Sequence, residues 1–187
     1  MISRTAGAIA VIAAAAAGIE FAMGRLPLGP DGRFGWWEGN IWSSEQSQRF
    51  ADPYSFSHVL HGMLFYAILR LVAPRLPQAT RLVLAVLIEA VWEIAENSPL
   101  IIDRYRAVTI ALGYEGDSIL NSMSDIVMVV GGFWLAASVR VRTSILIALA
   151  FEIGMLILVR DNLTLNIVML VHPLDAIKAW QLAGAPH

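Results

Sequence analysis

What most limits the folds open to this chain is a series of five apolar stretches. Each is close to the length a helix needs to cross a bilayer, about 20 residues with a range of roughly 17–25. Hydrocarbon offers no water to backbone N–H and C=O groups, so such a stretch satisfies them internally as a helix. The first runs from Ala6 to Met23, rich in alanine and interrupted by Glu20. The second runs from Ser57 to Ala73 and is stopped by Pro74 and Pro77. The third, Arg81 to Asn97, ends before Pro99, because a proline pushes the residue ahead of it out of helical geometry. The fourth opens at the turn-like Gly113-Tyr114-Glu115-Gly116 and continues to Val139, and the fifth is Thr143 to Val159. Residues 160–181 are too short and too polar for a further span. They read as a re-entrant or interfacial segment ending in an amphipathic helix over Leu174–Leu182.

Composition agrees with this reading. Hydrophobic residues make up 57% and charged residues 15%, against about 45–50% and about 25% in soluble domains. The expected fold is all-α: a polytopic transmembrane helical bundle of five spans, give or take one, forming a single integral membrane domain over residues 1–187. Met1 to Thr5 followed by an apolar run also resembles a signal peptide. A retained helix fits better, since the run is long, Glu20 lies near its end and the A-x-A signals fall in its middle. A net charge of −2 without a long basic run argues against nucleic acid as a partner. The absence of cysteine excludes disulfides, thiolate metal sites and cysteine nucleophiles.

Orientation follows from the arginines, which concentrate in short cytoplasmic loops. With the N-terminus inside, Arg4, Arg70, Arg75, Arg81, Arg140 and Arg142 fall on the inner side in short connections. Arg25, Arg33 and Arg49 fall outside, but in a long segment where Asp31, Glu38, Glu45 and Asp52 offset them. Arg104 and Arg106 fall outside as well, beside Asp103 and Glu115.

This topology gathers the ionisable residues at one depth, near the outer boundary. Such groups are costly inside a membrane and mark a partner or a task. His58 and His61 lie one turn apart on the second helix. Glu89, Glu93 and Glu96 fall within about 60° on the third and climb roughly 10 Å. Asp117, Asn121 and Asp125 line the fourth at i, i+4 and i+8, with Ser124 beside them and Gly131-Gly132 continuing near that side, where small residues let helices approach. Two histidines among carboxylates suit a divalent metal such as zinc, manganese or iron, held between facing helices. The same residues also suit a hydrogen-bonded structural network, or a path for protons or ions. Four histidines are too few for the membrane desaturases and hydroxylases, and no serine sits in a strand-to-helix elbow.

Other residues have plainer readings. Phe34, Trp36, Trp37, Trp42 and Tyr54 fit an aromatic belt. Glu20 and Glu152 are each alone in their spans and read as hydrogen-bonded structural groups, and Met123, Met128 and Met155 read as packing. Asp103-Arg104-Tyr105-Arg106 reads either as a grip on phosphate headgroups or as a solvated loop.

The blocks HVLHGMLFY, WEIAENSPLIIDRYR, GYEGDSILNSMSD and RDNLTLN resemble a family of small multi-pass bacterial inner-membrane proteins with no assigned function. The resemblance covers nearly the whole chain from the second helix onward. It implies location in the bacterial cell membrane and supplies no catalytic residues. The D-x-x-x-N-x-x-x-D stretch and the glycines after it are also similar to the VanZ-like membrane proteins, through a spacing too generic to transfer a function.

The functional expectation is metal-assisted hydrolysis or group transfer on a lipid or lipid-linked substrate. His58, His61, Glu93 and Asp117 would bind the metal, and Glu89 or Glu96 would serve as general base. Arg104, Arg106 and Asn121 would contact substrate. The partners expected are the bilayer, lipid headgroups or another membrane protein. A non-enzymatic scaffold or assembly factor is the alternative, and a proton-coupled transporter a third class, against which stands the lack of a repeat relating two halves.

Overall fold

The computed structural model describes residues 2–185, and among these the chain forms eight helices and no strand. They are α1 (Ile2–Ala22), α2 (Ser55–Val72), α3 (Gln78–Glu96), α4 (Pro99–Val108), α5 (Ile119–Ser138), α6 (Val141–Val159), α7 (Leu163–Val171) and α8 (Asp175–Leu182). Four are long and apolar enough to cross a membrane: α1, α2, α5 and α6. The third expected span, α3, has the length at 19 residues but carries Arg81, Glu89, Glu93 and Glu96, so apolarity alone does not assign it.

Two boundaries depart from the sequence reading. The stretch after Pro99, read as a loop, forms α4: Pro99 supplies the fixed φ suited to a first turn, and Ile102, Tyr105 and Val108 turn one face inward. The fourth stretch becomes helical only at Ile119. Ser118 is its N-cap, with a side chain that accepts from the Asn121 N–H, so Asp117 sits in extended chain ahead of α5 and outside the helical stripe of Asn121 and Asp125. The C-terminal segment divides into α7 and the expected α8. Glu152 accepts from Leu163 N–H at 3.1 Å and Thr164 N–H at 3.2 Å at the start of α7, the structural role expected of it.

The core is shared by α1, α2, α3 and α5 through Ala16, Leu60, Met63, Tyr66, Val86 and Phe133 among others. The closest pair is α2 with α5. A Cβ at Gly62 would strike the Val129 carbonyl and one at Gly132 the Val59 carbonyl, so only glycine permits this approach. By contrast α6 is peripheral and buries Met155 alone.

Helix direction places the end of α1, the start of α2, the end of α3, the start of α5 and the end of α6 at one pole. Residues 23–54 fold over that pole without forming a helix. They are tied to α5 by Ser118 N–H to Ser47 O at 3.0 Å, Ile119 N–H to Leu26 O at 2.9 Å and Gln48 Nε2 to Gly116 O at 2.8 Å.

Candidate metal centre

The register of α2 brings both histidines onto α3. His58 Nδ1 lies 2.6 Å from Glu89 Oε1, and His61 Nδ1 lies 3.1 Å from both Glu89 oxygens. The rings sit edge to face with centroids 5.1 Å apart. One turn further along α3, Glu93 Oε1 is 3.5 Å from His58 Nδ1, and from α5 Asp125 Oδ2 is 3.8 Å from His58 Nε2. Glu89 and Glu93 are fully buried.

Three groups have ligand atoms within 4.8 Å of one another: His58 with His61 and Glu89, His58 with Glu93 and Asp125, and Glu93 with Glu96 and Asp117. His58 and Glu93 each belong to two groups, so the three form one continuous centre. Neither oxygen of Glu93 has a hydrogen-bond partner, and Asp125 Oδ1 and Glu96 Oε2 are also buried without one. Most buried polar atoms in proteins are paired; these oxygens, with Ser124 Oγ and both oxygens of Glu20, are among the buried atoms here that are not.

The side of the centre nearest the covering segment is different. Asp117 accepts from Tyr114 Oη at 3.0 Å and Asn97 Nδ2 at 3.3 Å, while its N–H donates to Asn97 Oδ1 at 2.7 Å. Burial pushes the Asp117 carboxyl up to about 7, and the charge of Asp52 adds to the effect. Asp52 is itself buried, accepts from Ser47 and Tyr54 N–H groups, and has its carboxyl raised by burial.

Residues 20–183 match the family described as Protein of unknown function (DUF2585). The chain belongs to this family. A UPF0314 protein of Sphingopyxis alaskensis is 48% identical over 184 residues, covering 98% of each chain. One of Paracoccus denitrificans is 53% identical over 161 residues, covering 86% of this chain and 83% of that one, and one of Rhizobium johnstonii is 50% identical over 163 residues, covering 87% and 84%. No solved structure matches.

In this DUF2585 chain the residues proposed from the sequence divide into two sets. His58, His61, Glu89, Glu93, Glu96 and Asp117 come together. Arg104, Arg106 and Asn121 are committed elsewhere. Arg104 donates through Nε and Nη2 to Leu170 O at 3.0 and 2.9 Å. Arg106 donates to Tyr114 O, and Asn121 Nδ2 donates to Arg49 O at 2.9 Å, anchoring the covering segment.

Three residues take a place in or beside the cluster that the sequence reading does not give them. Asp125 was seen on the helical stripe but left out of the ligand set; it, and not Asp117, faces His58. Glu20, expected as a hydrogen-bonded structural group, is fully buried at the end of α1 beside Asp117 and Ser122, and neither of its oxygens has a hydrogen-bond partner. Asp52 carries a readable signal, since Asp-Pro-x-Ser ahead of an apolar run marks a helix start, and its N–H indeed bonds Ser55 Oγ at 3.1 Å. The aromatic belt also changes. Trp36 stands out in the open, edge-on to Phe34 and Phe50, whereas Tyr54 turns inward and donates to Asp161 Oδ2 at 3.0 Å.

Proposed function

We propose that the protein is a multi-pass protein of the bacterial inner membrane, with α1, α2, α3, α5 and α6 as its spans and a divalent-metal centre at the pole facing the periplasm. The position of α3 as a fifth span is supported by its faces. Glu89 and Glu93 point into the bundle, while the exposed side offers Leu87, Ile88 and Val91. A helix so arranged presents hydrocarbon to lipid and hides its charges among its neighbours.

One observation carries the metal reading. The Glu93 carboxylate is fully buried, neither oxygen is hydrogen-bonded, and ligand atoms of His58 and Asp125 lie within 4.8 Å of it. Burying an ionised carboxylate without compensation is costly, and a cation removes that cost. Imidazole with carboxylates suits zinc, manganese or iron. Glu89 then changes role from the general base of the sequence reading to a positioning residue: it accepts from both Nδ1 atoms and so fixes the ring orientations that leave each Nε2 available.

The reaction best suited to such a centre in lipid is hydrolysis or group transfer on a lipid or lipid-linked substrate, where a bound divalent cation supplies Lewis acidity to a phosphoryl or carbonyl oxygen. Glu96, half-buried beside the centre, is the candidate to hold the proton removed from the attacking group. Arg104 and Arg106 lie on the same pole and would reach a headgroup phosphate only on exchanging their present carbonyl partners.

A scaffold or assembly role is favoured by one observation of its own, the closed hydrogen bonding of Asn97, Tyr114 and Asp117. Metal analysis of gently solubilised protein separates the readings. A stoichiometric metal that is lost in both His58→Ala and Glu93→Gln supports the metalloenzyme. Metal-free protein with intact folding supports the scaffold.

A further inference from the structure

We infer that the centre holds two divalent cations, with a second position formed by Glu93, Glu96 and Asp117 and with the Glu93 carboxylate shared between the two. The inference rests on the metal reading above and extends it. Glu93 contributes a ligand atom both to the group with His58 and Asp125 and to the group with Glu96 and Asp117, each within 4.8 Å. A carboxylate has two oxygens, and both of those on fully buried Glu93 are without a hydrogen-bond partner, as is the buried Oε2 of Glu96. One cation at the His58 position answers for part of this deficit. It leaves Glu96 Oε2 and one oxygen of Glu93 without a partner.

Charge points the same way. Glu89, Glu93, Glu96, Asp117 and Asp125 converge within the bundle, and among the described residues the ion-pair partners they have are His58 and His61; none pairs with a lysine or arginine within 4.0 Å. Two imidazoles and one divalent ion still leave the carboxylates in excess. Supporting hydrogen bonds are also in place: Tyr114 Oη and Asn97 Nδ2 donate to the two oxygens of Asp117, at 3.0 and 3.3 Å. Supporting partners of this kind are what orients metal-ligating carboxylates.

The donor sets assign the chemistry of each position. Three carboxylates with no nitrogen favour a hard cation such as magnesium or manganese, whereas the His58 position also accepts zinc or iron. Cation pairs about 3.5–4 Å apart clamp the attacking and leaving oxygens of an in-line phosphoryl displacement. The substrate class singled out is therefore a phosphate ester or anhydride carried by a lipid; Glu96 passes from proton acceptor to ligand, and the proton of the attacking water goes to the leaving oxygen of the displaced alcohol or phosphate.

The test uses the full chain in mild detergent, stripped with chelator, dialysed and reloaded with manganese(II). Elemental analysis should give two manganese ions per chain, falling to one in Glu96→Gln and in Asp117→Asn. The wild-type protein supplies an independent reading if a variant fails to fold. At two equivalents its paramagnetic resonance spectrum should be broadened and exchange-coupled instead of a resolved six-line pattern. One ion per chain in the wild type overturns the second position and leaves the single-metal reading intact. No bound ion overturns both and means that protons neutralise the carboxylates. Two ions retained in both variants, or two ions with an uncoupled spectrum, overturn the placement at Glu93.

Discussion

Glu89 and Glu93 lie one turn apart on the same buried face of α3, yet neutralising them should have opposite effects on stability. Glu89 accepts from His58 at 2.6 Å and from His61 at 3.1 Å, and removing one partner of a buried charged pair costs about 3–5 kcal/mol. Glu93 has no hydrogen-bond partner and faces Glu89, Glu96, Asp117 and Asp125. In metal-free protein, Glu93→Gln should therefore leave the thermal midpoint unchanged or raise it, while Glu89→Gln should lower it markedly; unfolding scans in detergent with chelator present compare the two. A second residue sets a pH dependence away from the histidine–carboxylate cluster. Burial pushes the Asp161 carboxyl up to about 6 from 3.8. The folded state keeps this proton between those values while the unfolded chain has released it, so the contribution of Asp161 to stability is greatest below pH 4, declines as pH rises and levels off above about 6. Asp161→Asn should remove that part of the slope, read from unfolding midpoints between pH 4 and 7. The type and helical spacing of His58, His61, Glu89 and Glu93 were legible in the sequence because spacing on a helix fixes which side chains share a face. Glu20 was not, since its neighbours Asp117 and Ser122 are about a hundred residues away along the chain and reach it through folding alone.

Among the elements, the pairing of α2 with α5 decides whether His58 and Asp125 meet. A methyl group at Gly132 would collide with the Val59 carbonyl, whereas Gly131 faces open space. Overpacking of this sort costs about 1–3 kcal/mol even where side chains can yield, and here the obstacle is backbone. Gly132→Ala should lower the thermal midpoint and weaken metal retention together, and Gly131→Ala should change neither. Glycine-Glycine in an apolar run announces close approach in the sequence, but which of the pair faces the neighbour depends on helix rotation. The start of the helix is a separate error: it begins after its Ser118 N-cap and not at Gly113. The same error put Asp117 on the stripe. Helix α4 was missed for a related reason: a short segment carrying Asp103, Arg104 and Arg106 shows no apolar run, and only its burial of Ile102, Tyr105 and Val108 stabilises it as a helix.

At the scale of the whole molecule, the two poles differ in charge and cover. Short arginine-bearing turns join α2 to α3 and α5 to α6 at one pole, and residues 23–54 fold over the other. The chain has no cysteine, so single cysteines report topology cleanly. In intact cells, Arg33→Cys and Glu115→Cys should react with an impermeant thiol reagent and Arg75→Cys should not; the opposite pattern would place the centre on the cytoplasmic side. The exposed apolar length of α6, with Leu146, Ile153, Ile157 and Leu158 in the open, matches a helix bathed in lipid. The covering segment also imposes an order on biosynthesis. Gln48 is fastened by Gly116 and Arg49 by Asn121, 68 and 72 positions later in the chain. The ribosome thus delivers the cover, His58, Glu89 and Glu93 before Gly116 and Asn121, the residues that fasten the cover over them. The acidic face of α3 waits, uncapped, for α5 to be translated. The cluster is a late product of synthesis, and a message broken anywhere ahead of α5 yields a fragment whose carboxylates have lost Asp125 and the fastening of their cover.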